Sequence, residues 1–121
     1  MKNLNKIIGS FGEDLAINFL KNQGYIILEK NFYCPLGEID IIAKDGSYLV
    51  FIEVKTRYNF HYGTPLESIN FNKQNKIKNV AKYYLLNKHI FKAYCRFDAL
   101  EIILKKDEAE PKINLIKNAF F

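Results

Sequence analysis

Residues 37–57 decide the fold, and they read GEIDIIAKDGSYLVFIEVKTR. Two segments rich in β-branched and aromatic residues flank Asp45-Gly46, a dipeptide typical of tight hairpin turns. The stretch therefore predicts an antiparallel β-hairpin. A two- or four-residue loop centred on this dipeptide would place Asp40 opposite Phe51.

Side chains alternate along a strand, so the two faces of this hairpin are expected to differ. One face is predicted to be apolar and buried, and it carries Ile39, Ile41, Ala43, Tyr48, Val50, Ile52 and Val54. The other is predicted to carry three acids and a lysine at one end, in the set Glu38, Asp40, Ile42, Leu49, Phe51, Glu53 and Lys55. A solvated outer face is the alternative, but such a face would be polar along its whole length. We therefore expect the charged cluster at the rim of a covered face, in a cleft.

The residues before the hairpin predict a helix and a strand. Apolar residues recur at helical spacing in a helix that begins at about Leu4 or Ser10 and ends at Gln23, where Gly24 is a natural stop. Residues 25–33 are rich in β-branched and aromatic side chains and predict a strand.

The residues after the hairpin predict a helix and two further strands. Residues 64–67 resemble a capping box with proline at the first helical position, and a helix with an apolar stripe is expected over 72–87. A strand is expected over 94–104 and a short edge strand over 113–116. The predicted order is α-β-β-β-α-β-β, an α/β fold with a mixed central sheet flanked by helices, in a single domain spanning residues 1–121.

The composition suits a folded domain with an anionic partner. The chain has 121 residues, of which 49% are hydrophobic, and its 18 Lys and Arg exceed its 13 Asp and Glu to give a formal net charge of +5. This balance favours polyanions such as nucleic acid. Its apolar runs are too short for a membrane and its N-terminus has no secretory signal, so we expect a cytoplasmic protein with no membrane partner. Cys34 and Cys95 lack the spacing of a zinc site.

The acids and the lysine of the hairpin form a constellation that suits phosphate chemistry. In the expected register Asp40 lies diagonal to Glu53, about 7–8 Å away at Cα, and both carboxylates could converge on one hard cation. Lys55 lies on the same face as Glu53, two residues further on. Such a site could polarise a phosphodiester and activate a bound water.

Four residues outside the hairpin are further candidates. Glu13 lies beside the buried stripe of the first helix and could provide a third acid, although Ser10 and Glu13 also fit an N-terminal capping box; the spacing leaves both interpretations open. Arg57, Lys73 and Gln74 are candidate contacts to nucleic acid. Lysine at a helix start opposes the helix dipole, which suggests an anion-binding role for Lys73; one lysine among many on a solvated helix is the alternative, and both interpretations stay open.

The pair formed by residues 37–43 (GEIDIIA) and 51–57 (FIEVKTR) resembles the YraN-like family of uncharacterised bacterial proteins. The resemblance extends from Gly9 to the terminal 118–120 (NAF) and so covers nearly the whole chain. That family looks like a member of the restriction-endonuclease-like, PD-(D/E)XK superfamily. It is similar in pattern to small archaeal Holliday-junction resolvases.

This resemblance implies a restriction-endonuclease-like α-β-β-β-α-β core and a catalytic set that matches Glu13, Asp40, Glu53 and Lys55. It implies that Asp40, Glu53 and Glu13 bind Mg²⁺ (or Mn²⁺) for phosphodiester hydrolysis. The first hypothesis is a metal-dependent endonuclease acting on DNA, with branched or repair intermediates as candidate substrates. The alternative is a nucleic-acid-binding module that keeps the nuclease-like fold without cutting. A homodimer would suit two-strand cutting, but no exposed apolar seam in the sequence demands one.

Overall fold

The structure is a computed structural model that describes residues 4–57, 69–104 and 110–120, with side chains of the first helix from Phe11 onward. Within these ranges the elements are α1 (Leu4–Asn22), β1 (Ile26–Cys34), β2 (Gly37–Asp45), β3 (Tyr48–Arg57), α2 (Phe71–Asn87), β4 (Tyr94–Ile103) and β5 (Lys112–Ile116). The predicted order α-β-β-β-α-β-β is confirmed, and with it the α-β-β-β-α-β core. The helix start predicted at residues 64–67 lies outside the described residues.

The sheet has five strands in the order β1-β2-β3-β4-β5. Strands β3 and β4 are parallel, while the other three neighbouring pairs are antiparallel, so the sheet is mixed as expected. Successive antiparallel strands need only tight turns, whereas the parallel pair needs a crossover, and α2 lies in that connection. One helix packs on each face of the sheet.

The helix ends follow from local chemistry. Gly24 has φ +94, a left-handed conformation that glycine adopts without steric cost, and α1 ends just before it. Asn70 caps α2, because its Oδ1 accepts a hydrogen bond of 2.9 Å from the Lys73 amide. Since α1 begins at Leu4, Ser10 lies inside the helix, and the capping-box interpretation of Ser10 and Glu13 is wrong.

Two apolar clusters form the core, one on each face of the sheet. On the α1 side the buried residues are Ala16, Leu20, Tyr25, Ile41, Ala43, Val50, Ile52, Leu100 and Ile102. On the α2 side they are Cys34, Ile39, Ile42, Leu49, Phe51, Ile69, Ile77, Val80, Ala81, Tyr84, Ala99 and Phe120. The strongly apolar central strands are therefore covered on both faces, as their sequence requires.

The hairpin between β2 and β3 forms as predicted, but its register differs by two residues. Asp45 pairs with Tyr48, so the two turn residues are Gly46 and Ser47 rather than Asp45 and Gly46. Gly46, with φ +61, takes the first central position, where tight hairpin turns require a positive φ. Phe51 consequently faces Ile42 and not Asp40. A shift of two residues does not by itself exchange the two faces of the hairpin.

The alternation of β2 is broken at Asp40, which the sequence pattern did not predict. Ile39 packs in the cluster on the α2 side, whereas Ile41 packs on the α1 side, although two residues apart should share a face. In β1, Asn31 lies between the residues that pair with Ile41 and Ile39, and its φ of +54 departs from the extended backbone of a regular strand. The prediction that Ile39 shares a face with Ile41 is therefore wrong.

A second group of charges lies on the α1 side of the sheet. The Arg96 guanidinium donates from Nε to Asp98 Oδ1 and from Nη2 to Asp98 Oδ2, both at 2.8 Å, and also reaches Asp45 Oδ2 at 2.8 Å. The Tyr25 hydroxyl donates to Asp98 at 2.9 Å, and the Asn118 amide does the same. Asp98 is fully buried with these partners, so it is a salt-bridged structural acid.

None of the helices in the described parts of the chain is long and apolar enough to cross a membrane.

Candidate active site

The candidate site lies where β2 and β3 separate. Their backbone pairing runs from the turn as far as Ile41 opposite Ile52. One residue further, Asp40 Oδ2 accepts a hydrogen bond of 2.8 Å from the Val54 amide. The Asp40 carboxylate thus takes the place of the backbone carbonyl that would accept from the Val54 amide in a regular strand pair. This hydrogen bond fixes the carboxylate between the two strands.

Asp40 and Glu53 lie next to each other at this point. Glu53 is 4% exposed and is one of three buried charged residues in the described parts of the chain. Burial, together with the negative charge of Glu53, raises the pKa of Asp40 to about 8, although the hydrogen bond from Val54 acts in the opposite direction. The side chain of Glu53 also lies close enough for hydrogen bonding with Asp40, which favours the protonated form of Asp40 and acts in the same direction. The structure thus brings together the two acids that the hairpin pattern singled out.

Two lysines contact Glu53 from different elements. Lys55 Nζ on the same strand lies 3.8 Å from Glu53 Oε2, and Lys73 Nζ in the first turn of α2 lies 3.1 Å from the same oxygen. Burial lowers the pKa of Lys73, but attraction to Glu53 outweighs that effect and the net shift is upward. Lys73 therefore stays protonated beside the acids.

Glu13 approaches this group without touching its two acids. Its side chain accepts a hydrogen bond from Asn31, and burial raises the pKa of Glu13. The charge of Glu13 also contributes to the raised pKa of Asp40, so Glu13 and Asp40 lie close enough to interact electrostatically. In the described residues no group of three His, Cys, Asp or Glu side chains is arranged to hold a metal ion. The role of Glu13 as a direct or water-mediated third ligand stays a prediction.

Gly12 explains how α1 brings Glu13 to the sheet. A Cβ added at Gly12 would lie 2.9 Å from Cβ and 3.1 Å from Cγ2 of Thr56, and closer still to its hydroxyl oxygen. Real Cβ atoms essentially never approach another atom this closely. Glycine therefore lets the helix backbone lie directly against β3, one strand position beyond Lys55.

The remaining candidates take different places. Gln74 Nε2 donates to the Ile69 carbonyl at 3.1 Å and so secures the segment before α2. Arg57 follows Lys55 by two residues and is partly buried, and its carbonyl accepts a hydrogen bond of 2.7 Å from the Leu104 amide. Neither is brought into contact with Asp40 by any described hydrogen bond. The cleft expected here stays a prediction, because residues 58–68, which join β3 to α2, lie outside the described residues.

Glu101 is a candidate that the sequence pattern did not single out. It is 6% exposed and pairs with Lys55 in the parallel register of β3 and β4. Side chains at paired positions of these strands share a face, as the stacked rings of Phe51 and Phe97 at 5.4 Å demonstrate. The available signal was a lone acid inside an apolar strand, which marks a buried charge with a partner.

The donor set fits a divalent cation. Asp40 and Glu53 offer hard carboxylate oxygens, the ligand type that Mg²⁺ and Mn²⁺ prefer. Burial, and after it the negative charge of Glu53, raises the pKa of Asp40, and a cation between the two carboxylates would offset both effects. Two protein carboxylates with water completing the coordination is a common arrangement for Mg²⁺.

The order of elements and the mixed sheet define an α/β protein with an α-β-β-β-α-β core, in which acids and lysines meet where β2 and β3 separate. Comparison with known proteins defines its family. The model of the uncharacterised protein family UPF0102 matches residues 12–102. A UPF0102 protein of Clostridium botulinum strain 657 is 60% identical over 117 residues, which cover 96% of this chain and 95% of the relative. A UPF0102 protein of Clostridium kluyveri is 53% identical over 120 residues, covering 99% of this chain and 98% of the relative.

The chain belongs to the UPF0102 family. The resemblance to YraN-like proteins that residues 37–43 and 51–57 carry is thereby confirmed.

Proposed function

We propose that this protein is a metal-dependent endonuclease that hydrolyses phosphodiester bonds in DNA. The observation that carries the proposal is the contact of Asp40, Glu53 and two lysines at one splayed strand end. A soluble protein gains no stability from holding two acids together in partial burial, so their retention favours a chemical role.

The residues of the site have two roles: some bind the cation or the DNA, and others stabilise charge that develops during the reaction. Asp40 and Glu53 hold the cation, and Lys55 orients the attacking water or neutralises charge that develops on the phosphate. Glu13 acts on the same cation through water. A bound Mg²⁺ or Mn²⁺ would supply Lewis acidity and a more acidic water molecule. Arg57 and Lys73 hold the DNA backbone, and Gln74 keeps the start of α2 in place beside them.

The charge of the chain supports a nucleic-acid partner. Helix α2 contains Lys73, Lys76, Lys78 and Lys82 and no acidic residue, and the formal net charge of the whole chain is +5. Lysines spread along one element neutralise successive phosphates without reading the base sequence. Such contacts suit an enzyme that selects DNA by shape, as a branched or repair intermediate would require.

One observation favours a second candidate function, a nucleic-acid-binding module that does not cut. In the described residues Glu13 hydrogen-bonds Asn31 instead of completing a three-acid ligand set. A module of this kind would keep the basic surface and lose the cation. Calorimetric titration with Mn²⁺ separates the two, because the module predicts salt-sensitive DNA binding with no heat from the metal.

The direct test is a cleavage panel of single-stranded, duplex, flap and four-way DNA with Mg²⁺ or Mn²⁺. We expect Glu53→Ala and Lys55→Ala each to lower the cleavage rate by at least about 100-fold, because they remove cation binding and charge stabilisation respectively. DNA binding should change little. The matched control is Lys44→Ala, which removes an exposed lysine from the other strand of the same hairpin.

Equal cleavage by the two site variants and the wild type would contradict the proposal. Sedimentation of the protein alone and with each DNA would test the homodimer expected for two-strand cutting.

A further inference from the structure

The first turn of α2 is fixed at two points close to the candidate site. Asn70 caps the helix through its hydrogen bond of 2.9 Å to the Lys73 amide, and Gln74 holds the Ile69 carbonyl at 3.1 Å. The backbone of Lys73 is therefore held in place, and its long side chain is free to move without disturbing the helix. Any rearrangement at this corner of the site is thus expected in the Lys73 side chain.

Lys73 occupies a position that a helix start does not favour. The N-terminal turn carries a partial positive charge, and α2 has no acidic residue there to offset a lysine. The compensating charge comes from Glu53 on β3, whose Oε2 lies 3.1 Å from Lys73 Nζ. The ion pair thus depends on a carboxylate that the proposed function assigns to a cation.

The two partners of this ion pair differ in their access to water. The side chain of Glu53 is 5% exposed, whereas that of Lys73 is 41% exposed. A displaced Lys73 ammonium can therefore be hydrated at once, while Glu53 cannot turn away to solvent. When Lys73 and a divalent cation compete for the Glu53 carboxylate, Lys73 is therefore the group that can be displaced.

We infer that Lys73 is the counter-ion of Glu53 while no divalent cation is bound, and that its ammonium turns to a phosphate of the substrate when Glu53 takes the cation. The inference rests on the proposed function. It makes Lys73 a positioning residue that couples loading of the cation site to binding of DNA. The coupling is reciprocal, because DNA that draws Lys73 away from Glu53 also makes that carboxylate available.

The first experiment measures binding of Mn²⁺ by calorimetry, without DNA. Lys73→Met keeps the length of the side chain and removes its charge, so it should bind Mn²⁺ about 3- to 10-fold more tightly than the wild type, as expected for loss of a half-exposed competing ion. Lys76→Met, on the exposed face of the same helix, is the matched control and should match the wild type. Circular dichroism confirms that each variant is folded.

The second experiment measures DNA affinity in a Lys55→Ala background, where the DNA stays intact. Adding Lys73→Met should weaken DNA binding about 3- to 10-fold when Mn²⁺ is present and change it little when Mn²⁺ is absent. A lysine that merely adds positive charge to the surface would weaken binding equally in both conditions, which would overturn the inference.

The outcomes separate this inference from the proposed function. Mn²⁺ binding of equal or lower affinity in Lys73→Met than in the wild type would overturn the inference and leave the cation site standing. Failure of both proteins to bind Mn²⁺ would instead overturn the proposed function, and the inference with it.

Discussion

At the scale of single residues, Asp40 is subject to opposing influences. The Val54 amide donates a hydrogen bond to it, which favours the ionised carboxylate, while burial and Glu53 favour the protonated form and prevail. Asp45, on the same strand, is the opposite case, because the Arg96 guanidinium lowers the pKa of that carboxyl. One strand therefore carries one acid that ionises with difficulty and one that ionises readily.

Asp40→Asn should make the metal-free protein more stable at alkaline pH. Because the pKa of Asp40 is raised, its protonated form stabilises the folded state at low pH, and this contribution is lost as the pH rises through about 8. An Asn side chain cannot ionise and still accepts from Val54, so we expect a gain of ~1–3 kcal/mol in the free energy of unfolding at pH 9. Urea denaturation at pH 4 and pH 9 measures it, and the difference should nearly vanish at pH 4.

Asp45→Asn is the matched control with the opposite sign. The lowered pKa of Asp45 means that its ionised form stabilises the fold at neutral pH, and that this stability is lost as the pH falls through the lowered value. The substitution should therefore destabilise the protein at neutral pH. A loss of stability in Asp40→Asn at pH 9 would contradict our account of the site.

The residue types of the site could be predicted from sequence, whereas their contacts could not. Asp40, Glu53 and Lys55 were found from the hairpin pattern because acids and lysine inside apolar strands are unusual. The contact between Lys73 and Glu53 joins residues on two elements, so no spacing along the chain encodes it. Glu101 was missed although it too is an acid inside an apolar strand, because its neighbour Lys55 lies on another strand.

At the scale of elements, the approach of α1 to β3 depends on one missing side chain. Gly12→Ala would add a methyl group within 2.9–3.1 Å of Thr56 carbon atoms, and the helix would have to move away from the sheet. Overpacking of this kind costs ~1–3 kcal/mol, which exceeds the gain of up to ~1 kcal/mol in helix propensity. We expect a net loss of stability, measured by thermal or urea denaturation. Because Glu13 would move away with the helix, its electrostatic effect on Asp40 should also become weaker.

The double substitution Gly12→Ala with Thr56→Ala checks this explanation. Thr56→Ala removes the hydroxyl and methyl groups nearest to the added carbon, so the penalty of Gly12→Ala should be smaller in that background. Equal penalties in the two backgrounds would mean that Thr56 is not the obstacle.

The order and type of the elements could also be predicted from sequence, but two local geometries could not. The turn lies one residue further along than predicted, which shifts the pairing by two residues, because Gly46 is needed at the first central position and the dipeptide alone does not fix where the turn is centred. The break at Asp40 escaped prediction because a period of two assumes regular strands. Asparagine tolerates the positive φ found at Asn31, but the residue type alone does not predict it.

At the scale of the whole molecule, the charged residues on the two faces of the sheet have different contacts. On the α1 side, Asp98 and Arg96 are joined by two hydrogen bonds and complemented by Tyr25 and the Asn118 amide. In the described residues no buried side-chain nitrogen or oxygen lacks a hydrogen-bond partner. On the α2 side, Glu53 meets two lysines and a repelling acid. The first group secures the fold, whereas the second surrounds the two acids to which the proposed function assigns a cation.

Asp98→Ala should therefore destabilise the whole protein. It leaves the nearly buried Arg96 without its main partner and the Asn118 amide without its acceptor, and such a loss costs ~3–5 kcal/mol. Urea denaturation measures the change, with Glu110→Ala as an exposed control. Folded Asp98→Ala should bind Mn²⁺ as the wild type does, because the network lies on the other face of the sheet. A stability equal to that of the wild type would show that Asp98 does not hold the fold.

The hydrogen bond from Val54 to Asp40 gives this protein a reporter group of its own. A backbone amide proton shifts its resonance with the charge of its acceptor, and here that acceptor is a side chain whose protonation can change. In a nitrogen-15 correlation spectrum the Val54 peak would follow the ionisation state of Asp40 through a pH titration. The same peak would also show whether a divalent ion binds beside Asp40, and this could be tested without any substrate.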